Sequence, residues 1–370
     1  MKIIAIMIIK NEEKNLHRCF NSIKNFVDEI VVVDTGSTDK SMEIARSYGA
    51  HVYEKNCDIT FEQNSETITR LNFSKARNES VKRGIEVAGE DKDFWFFQID
   101  ADEELAPMDA TPEEFKRRLT MIHPEVSALV TQFYEMKNGE PVLPFTCTRF
   151  FRAGRNLKYI YIAHNRPTID GLAAATDIVV YHYGYSDPET MNRKWLRTLP
   201  LLNKRLEDDP DDYNALFYRC ITKIGLNDVQ EGIDDGIRCM ELMPEQNPEK
   251  LGFYGKLYYV IGWAYLRIND GDHAYIWFKK GLEFFPNDVD LNFSMAQLGY
   301  IAKENNMLKK YAESYFKAIE RYEHHQKNTF KGFFTGMKRE DMPMPVRHIH
   351  NATESSQESV REWLEVEGLN

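Results

Sequence analysis

Short apolar runs alternate with segments of helical period through the first half of the chain. The runs 3–9 (IIAIMII), 30–34 (IVVVD) and 94–99 (FWFFQI) are almost continuously apolar, which is typical of strands buried on both faces. Residues 12–26 and 74–89 carry their apolar side chains at helical spacing. Shorter segments extend the pattern: a turn over TGSTDKS, a helix over 39–48, and strands over 50–53 and 127–133. This alternation predicts an α/β domain with a mostly parallel sheet covered by helices.

The pattern changes near residue 186, after which only amphipathic helical segments follow, to about residue 325. Within 255–288, small and aromatic residues recur at the spacing of the tetratricopeptide pattern: Gly262, Tyr265, Ala274, Phe278, Gly281 and Pro286. Small residues at these positions allow paired helices to approach closely. The sequence therefore predicts three parts: an α/β domain over 1–185, a helical repeat domain over 186–325, and a C-terminal tail over 326–370.

Composition narrows the classes of function. The 370-residue chain has 47 Lys and Arg against 58 Asp and Glu, a formal net charge of −11, which disfavours a general duplex-DNA binder. Its five cysteines are scattered without a CxxC pair, so neither a disulfide framework nor a zinc site is indicated. No apolar run approaches the ~20 residues that span a bilayer, and the first run lacks the cleavage site of a signal peptide. We therefore expect a cytoplasmic protein.

Polar side chains follow three of the predicted strands. Asn11 and Glu12 follow the first strand, Asp34 ends the second, and Asp100 and Asp102 follow the fourth. The carboxyl ends of parallel strands meet at one edge of the sheet, where ligands bind in open α/β folds. Three separate segments are thus predicted to bring acids and amides to one cleft.

The segment FFQIDADEEL is the most informative of these. Two carboxylates one residue apart, just beyond a buried strand, suit Mg²⁺ or Mn²⁺, which commonly bridge to substrate phosphates. The alternative is an acidic loop that caps the next helix. The chain has no GxxxxGK[ST] loop, no GxGxxG turn and no GxSxG elbow. A nucleotidyltransferase is also disfavoured, because no Gly-rich basic loop follows the first strand.

Four motifs carry a resemblance to a known family: IMIIKNEEKNLHRCFNSI, DEIVVVDTGSTDKSMEIARSYGAHV, FSKARNES and FFQIDADEEL. They span roughly residues 1–105 and resemble the family 2 glycosyltransferases of the GT-A fold, in that family's order. Later segments within 127–215, namely ALVTQFYE, TRFFR, IAHNRP and VVYHYGY, are similar to a subgroup with tetratricopeptide-like helices, which includes the sublancin-type peptide S-glycosyltransferases. The resemblance implies a GT-A domain over 1–185 and metal-dependent, inverting transfer of a sugar from a nucleotide-sugar, with a UDP-sugar as the expected donor.

The resemblance also assigns roles around the donor nucleotide. It implies that Asn11 and Glu12 lie beside the base and that Asp34 accepts hydrogen bonds from the base or ribose. Ser37 and Asp39 would shape the loop that surrounds the nucleotide.

Further roles concern the diphosphate and its metal ion. The resemblance implies that Arg77 approaches the diphosphate, with a surface salt bridge as the alternative. Asp100 would contact the ribose or the metal, and Asp102 would be the main protein ligand of Mn²⁺ or Mg²⁺. His182 would reach the metal or the diphosphate, the alternative being a strand-end histidine hydrogen-bonded to backbone.

Two features are less determined by the resemblance. An inverting transfer needs a carboxylate or imidazole within reach of the acceptor nucleophile, and Glu103, Glu104, Glu135 and His164 are the candidates. Of these, Glu135 and His164 lie in segments expected to face the acceptor, so we take them as the candidate catalytic bases. The polar stretch 54–73 is longer than the family's usual loop and is interpreted as a lid, an acceptor contact or a tolerated insertion.

The acceptor is not readable from any motif. Helical repeats form an extended concave surface, which suits a peptide or protein acceptor. A glycan, a lipid or a modified nucleobase stays open as the acceptor. The alternatives in function are a nucleotidyltransferase and a non-enzymatic scaffold whose repeats bind a peptide.

Overall fold

The computed structural model describes residues 1–137, 139–184, 188–243, 251–329, 351 and 354–369. The chain divides into two compact units, Met1–Thr190 and Met191–Lys331, and the C-terminal helix belongs to the second. The domain boundary predicted at residues 185 and 186 lies outside the described residues.

The first unit is built of strands and four helices. Its strands are β1 (Lys2–Ile9), β2 (Glu29–Asp34), β3 (His51–Glu54), β4 (Asp58–Gln63), β5 (Glu66–Leu71), β6 (Phe94–Gln98), β7 (Glu103–Leu105), β8 (Val126–Lys137), β9 (Glu140–Arg152), β10 (Lys158–Ile160), β11 (Arg166–Thr168) and β12 (Leu172–His182). Its helices are α1 (Leu16–Ile23), α2 (Ser41–Ser47), α3 (Phe73–Ala88) and α4 (Pro112–Thr120).

Eight of these strands form one sheet in the order β3-β2-β1-β6-β9-β8-β12-β7. Neighbours among β3, β2, β1 and β6 are parallel, as are β8 and β12, whereas β9 and β7 run antiparallel to their neighbours. The carboxyl ends of β1, β2 and β6 therefore lie at one edge, as the sequence predicts. Strands β7, β9 and β12 of this sheet are not among the predicted strands. β7 has only three residues, β9 contains two prolines, and β12 begins with Leu-Ala-Ala-Ala.

The continuous apolar runs are buried because each face of the sheet has its own core. On β1, Ile3, Ala5 and Met7 pack into the core that includes α1, whereas Ile4 and Ile6 pack into the core that includes α3. Burying one such side chain contributes about 1.5–3 kcal/mol. The central strands are thereby fixed in register, and the loops at their carboxyl ends are held in place.

The polar stretch 54–73 is not irregular. It contains the antiparallel pair β4–β5, closed by Asn64 and Ser65, both with positive φ, at 51° and 63°. That geometry suits a two-residue hairpin turn, for which asparagine is favoured. Its role as a lid or acceptor contact stays a prediction.

The described residues of the second unit form helices joined by turns and short loops, with no strand among them. Its helices are α5 (Pro188–Asp208), α6 (Tyr213–Gly225), α7 (Val229–Leu242), a 3₁₀ turn at Gly252–Lys256, α8 (Leu257–Arg267), α9 (Gly271–Phe284), α10 (Val289–Ile301), α11 (Asn305–Thr329) and α12 (Glu354–Val366). Helices α6 and α7, α8 and α9, and α10 and α11 pack as consecutive pairs.

Small residues set the spacing within these pairs. A Cβ on Gly262 of α8 would lie 2.2 Å from Cε1 of Phe278 on α9, and one on Gly281 would lie 2.7 Å from Cβ of Tyr258. Both aromatic side chains are fully buried. The glycines of the repeat pattern therefore allow the close helix contact that the sequence predicts, and the unit is tetratricopeptide-like.

The C-terminal tail is only partly described. Most of the range 326–350 lies outside the described residues, but α12 packs on α10 and α11 through Val360, which is fully buried. Over the described ranges, no helix combines the length and the apolar character needed to cross a membrane.

Candidate active site

The loops that follow β1 and β2 are joined by hydrogen bonds. The backbone N–H of Asn11 donates to Oγ of Ser37 at 2.9 Å, and Oδ1 of Asn11 accepts from the backbone N–H of Thr38 at 2.7 Å. Asn11 adopts φ 58°, a left-handed conformation that asparagine tolerates better than most residues. Asn11 and Ser37 thus shape one continuous loop surface. These contacts also delay the start of α1 to Leu16, later than the predicted residue 12.

Asp34 lies at the centre of this surface. Its Oδ2 accepts the backbone N–H groups of Gly36 and Ser37, both at 2.9 Å. Its Oδ1 is buried and has no hydrogen-bond partner among the described residues. A buried acceptor without a partner is costly, so this oxygen is suited to a ligand donor such as a base N–H or a ribose hydroxyl.

Asp39 and Glu12 sit on the other side of the loop. Oδ1 of Asp39 accepts from Oγ of Ser41 at 2.5 Å, and Oγ of Ser41 lies 2.7 Å from the backbone nitrogen of Glu12. Burial, with the charges of Asp102 and Asp100 nearby, raises the pKa of Glu12. The first loop and the acid run therefore lie close enough for their charges to interact.

Asp100 is held by two arginines. Nη2 of Arg77, from α3, donates to Oδ1 of Asp100 at 2.5 Å, and Nη2 of Arg149, from β9, lies 3.7 Å from Oδ2. Arg77 is buried, and its Nη1 has no partner within the described residues. The salt bridge of Arg77 is thus a buried one with Asp100 and not the surface salt bridge of the alternative interpretation. The buried Nη1 without a partner suits an anionic ligand.

Glu103 is one of the least exposed acids of the chain, at 2%. It forms a salt bridge with Arg149, and its Oε2 accepts the backbone N–H of Asp100 at 2.9 Å. Burial raises the pKa of Glu103 to about 7, although Arg149 opposes that shift. Glu103 is thus part of the framework beneath the site.

Asp102 faces His182 across the end of the sheet. Oδ2 of Asp102 lies 3.4 Å from Nε2 of His182, and Nδ1 of His182 lies 2.7 Å from Oε2 of Glu135. His182 and Glu135 are directly paired residues of the parallel strands β12 and β8. Burial disfavours the imidazolium, but hydrogen bonds to Asp102 and Glu135 outweigh it and raise the pKa of His182 to about 9. The pair Glu135–His182 is the arrangement in which a carboxylate orients a metal-binding imidazole.

Gly184 keeps the space between these groups open. A Cβ at this position would lie 2.4 Å from Oδ2 of Asp102 and 2.7 Å from Nε2 of His182. Among the residues that the structure describes, no three His, Cys, Asp or Glu side chains are grouped so as to hold a metal ion. The open cradle between a carboxylate and an imidazole nonetheless fits a divalent cation whose other ligands are substrate oxygens and water, as is usual for Mg²⁺.

The fourth acid of the run, Glu104, has different partners. Its Oε2 accepts the phenol hydroxyl of Tyr183 at 2.6 Å, and Arg18 lies over the Tyr183 ring at 3.7 Å. Burial and the contact with Glu104 raise the pKa of Tyr183 to about 12. Tyr183 therefore remains a neutral hydrogen-bond donor at physiological pH.

His164 occupies a different substructure from the acid run. It lies in the turn of the two-stranded β10–β11 ribbon, with φ 47° and an exposed side chain. Its position leaves the predicted role as a base untested.

Sequence reasoning missed three contributors to the site, namely Arg149, Tyr183 and Gly184. A signal for Arg149 exists, since it is a lone cation in the otherwise uncharged run PFTCTRFF. Tyr183 and Gly184 directly follow His182 in VVYHYGY, but nothing in the sequence shows that they meet Glu104 and Asp102.

Comparison with known proteins relates the first part of the chain to glycosyltransferases. Residues 4–113 match the family model described as "Glycosyl transferase family 2". A TPR repeat-containing protein of Synechococcus elongatus is 30% identical over 239 residues, which cover 61% of this chain and 52% of that protein. The SPbeta prophage-derived glycosyltransferase SunS of Bacillus subtilis is 26% identical over 217 residues, covering 57% and 47% respectively. The match to the crystal structure of MamA covers 38% of this chain and 81% of the MamA chain, with 17% sequence identity and a TM-score of 0.30. The chain spans about half the length of the two curated relatives.

Proposed function

We propose that this chain, whose residues 4–113 form a family 2 glycosyltransferase domain, transfers a sugar from a nucleotide-sugar to an acceptor. The observation that carries the proposal is the convergence of Asp34, Arg77 and Asp102 at the carboxyl edge formed by β1, β2 and β6. A nucleoside diphosphate and its counter-cation require a hydrogen-bond acceptor, a guanidinium with an unpartnered N–H and a carboxylate, and these three residues supply them.

Each group has a proposed part in holding the donor. Oδ1 of Asp34 accepts a hydrogen bond from the nucleoside, and Nη1 of Arg77 donates to a diphosphate oxygen. Asn11 and Ser37 keep the loop in shape around the nucleotide. A UDP-sugar is the first donor to test, because the resemblance of these loops is to enzymes that use it.

Asp102 and His182 would hold Mn²⁺ or Mg²⁺, with Asp100 next to them. When bound, the cation neutralises negative charge that develops on the departing diphosphate. Asp102 would supply the anionic ligand, and the deprotonated imidazole of His182 would supply Nε2. Glu135 keeps the imidazole oriented through Nδ1, so we favour this positioning role for Glu135 over that of catalytic base.

His164 is proposed to accept the proton of the acceptor nucleophile. Its imidazole is exposed, and histidine is the side chain most often used as a general base. The acceptor is proposed to be a peptide or protein, because tandem helix pairs present an extended surface for such a chain. If so, His164→Asn lowers transfer to the acceptor and leaves hydrolysis of the donor by water unchanged.

The experiment that tests the proposal is hydrolysis of UDP-, GDP-, CDP- and dTDP-sugars by the full chain, with Mn²⁺ and without it. We expect release of one nucleoside diphosphate above all others, and loss of that activity in Asp102→Asn. The matched control is Asp109→Asn, which removes the same charge from an exposed acid seven residues along the chain. More than about a tenth of the activity surviving in Asp102→Asn would contradict the role of Asp102, and no release from any donor would favour the non-enzymatic scaffold.

A further inference from the structure

Arg149 connects three groups beside the acid turn, namely Gln98, Glu103 and Asp100. Its Nη1 donates to Oε1 of Gln98 at 2.7 Å, and its Nη2 contacts Glu103 and lies 3.7 Å from Oδ2 of Asp100. The side chain is only 12% exposed and packs over the ring of Phe133 at 4.9 Å. A cation so placed is costly to bury and is retained only with several anionic or polar partners.

A break in the sheet directs this side chain to the acids. The pairing of β8 with β9 steps from Leu129 opposite Phe150 to Val130 opposite Thr148, so Arg149 has no residue of its own opposite it. Such a bulge turns a side chain away from the ordinary alternation and is frequent beside active sites. The backbone is therefore built to aim the guanidinium at the strand end of β6.

The contacts close into a ring. Arg149 binds Glu103, Oε2 of Glu103 accepts the backbone N–H of Asp100 at 2.9 Å, and the Asp100 carboxylate lies between Arg149 and Arg77. Both the backbone and the side chain of Asp100 are thus held through Arg149. Asp102 is two residues further along the same turn.

We propose that Arg149 is a positioning residue of the donor site, which fixes the acid turn 100–103 so that Asp100 and Asp102 meet the nucleoside diphosphate and its cation. The assignment rests on the proposed function. We assign Arg149 a positioning role because its two Nη atoms already contact Gln98 and the acids, whereas its Nε is buried without a hydrogen-bond partner among the described residues. It acts through the geometry of Asp100.

This role differs from simple stabilisation of the fold in a testable way. Arg149→Met leaves Glu103 as a buried carboxylate without its cation, which lowers the melting temperature. Adding Glu103→Gln removes that unpaired charge and should restore most of the melting temperature. It does not restore the guanidinium beside Asp100, so a positioning role predicts that donor affinity stays low.

The experiment is calorimetric binding of a nucleoside diphosphate with Mn²⁺ to the full chain, at a temperature where every variant is folded. UDP, GDP, CDP and dTDP are screened on the wild-type protein, and the tightest is used. The variants are Arg149→Met, Arg149→Met with Glu103→Gln, and Arg149→Lys. The control, Arg152→Met, removes an arginine of the same strand whose hydrogen bonds go to the backbone carbonyls of Val126 and Ile122.

We expect affinity to fall roughly tenfold or more in Arg149→Met and equally in the double variant, as is typical when a supporting residue around a metal site is removed. The affinity of Arg149→Lys should lie between those of the wild-type protein and Arg149→Met, because one ammonium cannot contact Gln98, Glu103 and Asp100 together. Near-wild-type affinity in the double variant, or an equal loss in Arg152→Met, would overturn the assignment of Arg149 but not the proposed function. A wild-type protein that binds none of the four nucleotides would overturn the proposed function and this assignment together.

Discussion

Gly184→Ala tests the proposed cation cradle without changing any charged group. The added Cβ would lie 2.4 Å from Oδ2 of Asp102 and 2.7 Å from Nε2 of His182, while Cβ contacts under 3.0 Å essentially never occur. The gap at Oδ2 must therefore widen by at least 3.0 − 2.4, or about 0.6 Å. Metal–ligand distances tolerate only about 0.2 Å, so this displacement is enough to disrupt ligation.

The cost to stability should be small. Both clashing atoms are the far ends of side chains, which can rotate away, and Gly184 has no positive φ that alanine would strain. We therefore expect the melting temperature to change little while Mn²⁺-dependent donor hydrolysis falls about tenfold or more. The loss should appear as weaker Mn²⁺ binding in a metal titration at fixed donor concentration.

Gly271→Ala is the matched control. It adds the same methyl group at a position where nothing lies within 4 Å and where φ is not positive. Its activity and Mn²⁺ dependence should equal those of the wild-type protein. Unchanged Mn²⁺ affinity in Gly184→Ala would refute the cradle, and a large fall in melting temperature would show that the clash is absorbed by the fold and not by the two side chains.

Three other predictions follow from separate parts of the chain. Asp34→Ala should raise the Kd of the nucleotide roughly tenfold or more and leave kcat unchanged, because a buried hydrogen-bond acceptor is lost. Calorimetry measures the Kd, and an unchanged Kd would mean that the nucleoside binds elsewhere. The raised pKa of His182, about 9 against an ordinary 6.5, means that its imidazolium stabilises the fold fully below pH 6.5 and that this contribution is lost as pH rises to 9. The test is the difference in the free energy of unfolding between the wild-type protein and His182→Gln, measured without metal. This difference should fall by at most about 3 kcal/mol between pH 6.5 and 9. A difference that does not change with pH would contradict the ion pairs of His182. Gly262→Ala should destabilise the helical unit by about 1–3 kcal/mol in denaturant unfolding, because its Cβ would meet the buried Phe278 ring, whereas Gly271→Ala should not.

The parallel half of the sheet was predictable because its signal is local. Strands β1, β2 and β6 are continuous apolar runs, which is the sequence pattern expected of strands buried on both faces. Parallel pairing then places Asp34 and Asp100 at one edge without any knowledge of side-chain contacts. The family resemblance follows the same segments, so both arguments lead to the same cleft.

The other half of the sheet was not predictable, because its strands depend on tertiary packing. Strand β9 has prolines at 141 and 144, and β12 opens with small residues, so neither resembles an isolated strand. Each pairs with β8 along most of its length and with a second strand over three residues, β9 with β6 and β12 with β7. The residues that these strands deliver, Arg149 and the Glu135–His182 pair, become meaningful only once the register is known.

The acid run shows why this register decides the chemistry. In the segment DADEE, residue type and spacing do not show which of the four carboxylates would bind a metal ion and which would act as a base. From the sequence, both roles therefore had several candidates. The fold separates them by their neighbours: Asp100 meets two arginines, Glu103 is buried on Arg149, and Glu104 accepts the Tyr183 hydroxyl. Asp102 instead faces an imidazole across a gap kept open by a glycine. For the proposed cation, Asp102 is the best-suited acid of the run, because arginines beside Asp100 and Glu103 repel a cation while Asp102 faces a deprotonatable imidazole. That proposed position depends on β12 as much as on β6.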